Sequence, residues 1–214
     1  ITATVIQLII HIFFLFQYEG ARLPPKNERA GFFLGDGAGV GKGRQIARLI
    51  YENYAGAGVR RFLWLSVSND LLWDSKRDLD DVRKDTKLPE LSLYPKASGK
   101  LPTGNLKSKG IKDGVLFCTY SMLTAGKAGS TVKLGDEEDG DLSAQDAVMS
   151  QMVKRGTRLH SIIQWLKEED GEDPLIVLDE CHKAKNLSDK QRKCSKTALA
   201  VLALQRELPL ARVL

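Results

Sequence analysis

Ala30-Gly31-Phe32-Phe33-Leu34-Gly35-Asp36-Gly37-Ala38-Gly39-Val40-Gly41-Lys42-Gly43-Arg44 passes from an apolar run, through a glycine-rich loop, into a segment of helical periodicity. Glycines let backbone N–H groups turn toward a phosphate, and a helix N-terminus adds the positive end of its dipole. Lys42 supplies a point charge for β- and γ-phosphate oxygens. Gly37, Gly39, Gly41, Lys42 and Gly43 are therefore candidate nucleotide-binding residues. The loop departs from the ordinary G-x-x-x-x-G-K-S/T pattern in two places. Asp36 takes the first glycine's place, and Gly43 stands where a hydroxyl normally ligates Mg²⁺. Either water fills that coordination position, or the missing β-carbon admits another backbone or Arg44 to the phosphates. Arg44 joins the candidate set on that ground.

A second element ends in the same way. Leu175-Ile176-Val177-Leu178 runs into Asp179-Glu180-Cys181-His182. A carboxylate at a strand's carboxyl end can hold Mg²⁺, and an adjacent one can polarise the attacking water. Asp179 suits the first role and Glu180 the second. An Asp-Glu pair can also simply cap a helix, and His182 taken alone reads as a structural hydrogen-bonder. Paired with the glycine loop, the acidic turn points to ATP and Mg²⁺. A Rossmann dinucleotide site is disfavoured, because Gly37-x-Gly39-x-x-Lys42 lacks the third glycine. Cys118, Cys181 and Cys194 form no C-x-x-C pair, and Cys181-His182 with Cys194 lacks a fourth metal ligand.

Five apolar runs read as parallel strands buried on both faces: Gly31 to Leu34, Phe62 to Val67, Val115 to Thr119, Leu175 to Leu178 and Arg212 to Leu214. Helical patterns lie between them. One carries Ile46, Leu49, Ile50 and Tyr54 and ends at Gly56-Ala57-Gly58. A second runs from Asn69 or Asp70 through Val82, with Asp and Arg alternating on its wet side. A third is expected from about Ala147 to Glu168, and a fourth from Thr197 to Glu207. Ala97 to Gly114 reads as a mobile loop, and Gly126 to Asp141 as a loop ending in a solvated acidic run. Ile1 to Phe16, apolar apart from Gln7 and His11, reads as a buried helix rather than a membrane span. Strand–helix alternation predicts an α/β fold, a parallel sheet with helices on both faces. The boundaries expected are 1–28 for the apolar segment and 29–214 for the domain.

The 214 residues are 43% hydrophobic and 28% charged, ordinary for a globular chain, and the net charge of +5 leans toward a polyanionic partner. Gly31 through Arg44, Tyr51-Glu52-Asn53-Tyr54, Leu63 through Leu71 and Asp179 through Asn186 together resemble the Strawberry notch family. These are nuclear, helicase-like regulators of transcription related to superfamily 2 chromatin translocases. The resemblance implies a RecA-like P-loop NTPase domain of DExH-box type, the first motor lobe, ending before motif III. It implies DNA or chromatin with its histones, and transcription regulators, as partners; it implies nuclear localisation and no membrane. It makes His182 the link between the nucleotide site and nucleic acid. It also places Ser66-Val67-Ser68-Asn69 at motif Ia and Thr119-Tyr120-Ser121 near motif Ib, with Ser68, Asn69, Thr119 and Ser121 facing a nucleic-acid backbone. Asn69 and Ser121 read equally well as helix caps. Lys183, Lys185, Lys190, Arg192, Lys193 and Lys196 read as a solvated basic loop rather than a contact surface, since no aromatic residue is interleaved. The rival to a motor is a nuclear scaffold with a vestigial nucleotide site.

Overall fold

The computed structural model describes residues 22–23, 28–29, 31–35, 39–96, 101–125, 142–167, 173–184 and 195–214. Strands β1 (Arg22–Leu23) and β2 (Glu28–Arg29) pair antiparallel. The main sheet holds β3 (Arg61–Ser66), β4 (Leu93–Tyr94), β5 (Gly114–Thr119), β6 (Leu175–Leu178) and β7 (Arg212–Val213), all parallel, in the order β4-β5-β3-β6-β7. Helices α1 (Lys42–Gly56), α2 (Leu71–Thr86), α3 (Tyr120–Thr124), α4 (Leu142–Met152), α5 (Arg158–Leu166) and α6 (Lys196–Glu207) connect them.

Alternation along each strand divides the core in two. Phe62, Trp64, Val115, Phe117, Leu175 and Val177 point to one face and pack with α1 and α2. Leu63, Leu65, Leu116, Cys118 and Ile176 point to the other and pack with α5 and α6. Both faces are dry, which is why the strands read as unbroken apolar runs. The expected α/β architecture, RecA-like with helices on both faces, is the one observed.

Several elements differ from expectation. Gly31 to Leu34 forms no regular strand, yet the Phe32 amide donates to the Val213 carbonyl at 2.9 Å, so the segment runs beside β7. The fifth strand of the sheet is instead β4, a two-residue edge too short to announce itself. The expected helix from Ala147 to Glu168 is two helices. Gly156 takes a left-handed φ of 97° between them, and Thr157 restarts the chain by accepting the His160 amide at 3.1 Å. Residues 101–114 are also no mobile loop. Leu101, Leu106 and Ile111 are buried, and the Trp165 indole donates to the Ile111 carbonyl at 2.9 Å. Three apolar anchors outweigh the local Lys, Ser and Gly content. No helix among the described residues is long and apolar enough to cross a membrane. The expectations for Ile1 to Phe16 and Gly126 to Asp141 lie outside the described residues.

Candidate nucleotide site

In open parallel sheets ligands gather at the carboxyl ends of the strands. There the glycine loop meets α1. Gly41 caps the helix in the left-handed region (φ 83°, ψ 33°), and its carbonyl accepts the Gln45 amide at 3.1 Å. Gly39 is likewise left-handed, at φ 79°. Only glycine takes both conformations without penalty, so the loop's course to Lys42 rests on them.

Across the sheet, β6 delivers the acidic turn. Asp179 is held from three directions. The buried Ser66 hydroxyl donates to Asp179 Oδ2 at 2.7 Å, the Asp179 amide donates to the Leu65 carbonyl at 2.9 Å, and the Tyr120 hydroxyl donates to the Asp179 carbonyl at 2.9 Å. The carboxylate therefore engages β3 rather than capping the short 3-10 turn Cys181–Ala184. Burial raises the Tyr120 phenol well above its ordinary range and keeps it a donor. Glu180 sits at φ 55°, a left-handed conformation costly for a β-carbon, and its Oε2 lies 3.2 Å from His182 Nδ1.

The two ends converge. Lys42, Asp179, Glu180 and His182 line a cavity of about 450 Å³ together with Phe32 and Leu34. The same four residues, with Gly39 and Gly43, line a neighbouring cavity of about 510 Å³. Gly37 lies outside the described residues. Arg44 is turned toward α2, donating to Asp81 Oδ2 at 2.8 Å with Asp78 Oδ1 3.9 Å away. Ser68 and Asn69 follow the end of β3, Thr119 is the buried last residue of β5, and Ser121 lies two residues beyond it, all on the same edge but outside both cavities. Asp70, not Asn69, occupies the N-cap of α2, and Thr119, not Ser121, that of α3. The Thr119 and Ser121 hydroxyls lie 2.9 Å apart in a mutual hydrogen bond. Of the basic group, Lys183 and Lys196 are described and exposed.

Two contacts are not legible in the sequence. Ser66 was visible as a hydroxyl ending a strand, but its partner was not. Asp78 had been counted on the wet side of its helix. Instead its carboxylate presses against Gly43 and is only 13% exposed. Burial raises its carboxyl above the ordinary range, against the opposing pull of Arg77 and Arg44.

The residues fit a Mg²⁺–nucleotide rather than an all-protein metal cage. A Mg²⁺ ion is typically held by one or two carboxylates plus phosphate oxygens and water. The described residues contain no group of three or more His, Cys, Asp or Glu able to hold a metal by themselves.

The order of segments adds a class-level feature. The phosphate-loop segment adjoins β7, and β7 adjoins β6, so one strand separates the loop from the acidic strand. A glycine loop opening a helix and a carboxylate pair following β6, one strand apart at the carboxyl edge of a parallel sheet, are the arrangement of a P-loop NTPase.

The sequence model of the P-loop containing NTP hydrolase pore-1 family matches residues 5–214, and the chain belongs to that family. It is 43% identical over 193 residues to protein strawberry notch homolog 1 of Gallus gallus. It is 40% identical over 196 residues to protein strawberry notch of Drosophila melanogaster, and 40% over 189 residues to protein FORGETTER 1 of Arabidopsis thaliana. These matches cover 88%, 89% and 87% of the chain respectively. The chain spans only 13%, 10% and 12% of the length of those relatives. No solved structure matches it. The resemblance to Strawberry notch proteins is thus borne out, and the domain is a helicase-like NTPase by family.

Proposed function

We propose that this domain binds ATP with Mg²⁺ and serves, within a longer protein, as the first lobe of a motor on DNA that regulates transcription on nuclear chromatin. One observation carries the reading: Lys42, opening α1, and the Asp179-Glu180 pair, just past the end of β6, line one cavity. Lys42 brings a fixed positive charge to the β- and γ-phosphates. Asp179, its carboxylate fixed by the Ser66 hydroxyl, would hold the Mg²⁺. Glu180 is the residue for orienting and polarising water, and its contact with His182 couples the base to the turn that leads toward nucleic acid. Bound Mg²⁺ would neutralise charge on the phosphate oxygens.

Ser68, Asn69, Thr119 and Ser121 carry donors suited to backbone phosphates at the strand ends beside this cavity. The test is ATP hydrolysis by the full-length protein with and without duplex DNA. DNA-stimulated turnover that Glu180→Gln abolishes supports a motor. ATP-independent DNA or partner binding with no turnover supports a scaffold instead.

A further inference from the structure

We propose that Asp78, reaching over from α2, supplies the metal-side oxygen that the phosphate loop's own residue 43 lacks. Asp78 and Asp179 would then hold the divalent cation of a bound nucleotide together. The inference rests on the nucleotide reading above and names a ligand which that reading leaves out.

Its basis is a single close approach. A β-carbon built on Gly43 would lie 2.1 Å from Asp78 Oδ2 and 3.2 Å from Asp78 Cγ. The carboxylate oxygen thus occupies the space that a serine or threonine side chain at position 43 would fill. That side chain is the one whose hydroxyl normally reaches Mg²⁺ in a phosphate loop. Glycine at 43 and aspartate at 78 are then one device, with the oxygen brought in from a neighbouring helix.

Three further observations agree. Lys42, Gly43, Asp78, Asp179 and Glu180 line the same cavity of about 510 Å³. Trp64 lies on that wall, 2% exposed, and its indole N–H has no partner among the described residues, a donor suited to a water of the metal's shell. A purely structural role for Asp78 is weakly supported. Its contacts with Arg44 and Arg77 are long, at 3.9 and 3.8 Å, and both arginines are largely exposed, so neither holds the carboxylate in a close, direct pair. Arg44 makes its short bond to Asp81 instead.

The test is calorimetric titration of ATP, with Mg²⁺ and with EDTA, on the parent chain and on Asp78→Asn, Asp81→Asn and Gly43→Ser/Asp78→Ala. Electron paramagnetic resonance of Mn²⁺ with ADP reads the metal site independently of turnover. Asp78→Asn should lose about tenfold of the Mg²⁺-dependent gain in affinity while its EDTA affinity stays unchanged. Its Mn²⁺ spectrum should shift. Asp81→Asn should behave as the parent, and the double variant should recover most of the gain. A full Mg²⁺-dependent gain and an unshifted Mn²⁺ spectrum in a folded Asp78→Asn would overturn the inference while leaving the nucleotide reading intact. Failure of the parent chain to bind ATP in either buffer would overturn both.

Discussion

Around Gly39 and Gly41 a β-carbon would meet no atom of the described residues within 4 Å, whereas Asp179, on the same edge of the sheet, is tied down through carboxylate, amide and carbonyl. The glycine loop takes its course from backbone conformation rather than from packing among the described residues. The acidic turn is placed by hydrogen bonds to β3 and to Tyr120. A loop that must wrap phosphates needs room and bare N–H groups. A carboxylate that must meet a metal at a set distance needs anchors. The two regions should therefore fail in different ways when altered.

The largest contrast lies between the acidic turn and the interior of the sheet. Cys181 is exposed on the cavity wall, while Cys118 is fully buried in β5 with its thiol pushed up to about 12 by burial. A thiol reagent at pH 8 should modify Cys181 in the native chain and leave Cys118 unmodified until denaturation, as read by peptide mass spectrometry. ATP should slow labelling of Cys181. Rapid native labelling of Cys118 would mean that the face of the sheet under α5 and α6 is not packed as described.

Lys42→Ala should cost roughly 10–100-fold in ATP affinity by removing a charge-assisted contact. The melting temperature should hold, because the lysine is only half-buried and opens α1. Calorimetry that finds equal affinity in mutant and parent would break the assignment of the loop.

Ser66→Ala attacks the anchored side. It strips the donor from Asp179 Oδ2 in a fully buried position, at a cost of about 1–3 kcal/mol in stability. Denaturant melts should show that loss, and the Mg²⁺-dependent part of ATP binding should weaken with it. A stability loss of this size from Ser66→Ala but none from Lys42→Ala would sharpen the contrast between anchored and open regions.

Gly41→Ala should have the smallest effect. The added β-carbon meets no atom of the described residues within 4 Å, so the left-handed φ of 83° sets the penalty, about 1–2 kcal/mol. Chemical denaturation reads it directly. A loss well beyond that range would mean that the loop is held by packing after all.

Much of this architecture was legible along the chain because it depends on short-range pattern. Gly39, Gly41 and Lys42 after an apolar run, and Asp179-Glu180 after another, are local signals of a loop and a turn at strand ends. The stripe Ile46, Leu49, Ile50 and Tyr54 gave α1 its place for the same reason, and a period of 3.6 needs no partner to be read. The break at Gly156-Thr157 was local too, but the apolar pattern across it was stronger than the cap signal. Leu101, Leu106 and Ile111 were hidden by polar neighbours, since burial of a loop depends on what it covers.

The sequence by itself determined the two chemical ends of the site, the strand–helix alternation and the two-sided burial of the strands. Those follow from side-chain polarity, glycine's backbone freedom and helical period, all properties of neighbours in the chain. Tertiary structure alone decided that β7 lies between the phosphate loop and the acidic strand. It also decided that Ser66 holds Asp179, and that Asp78 fills the space beside Gly43. Each of these joins residues far apart in sequence. Such contacts arise only when helices and strands pack their faces together, so no local pattern encodes them.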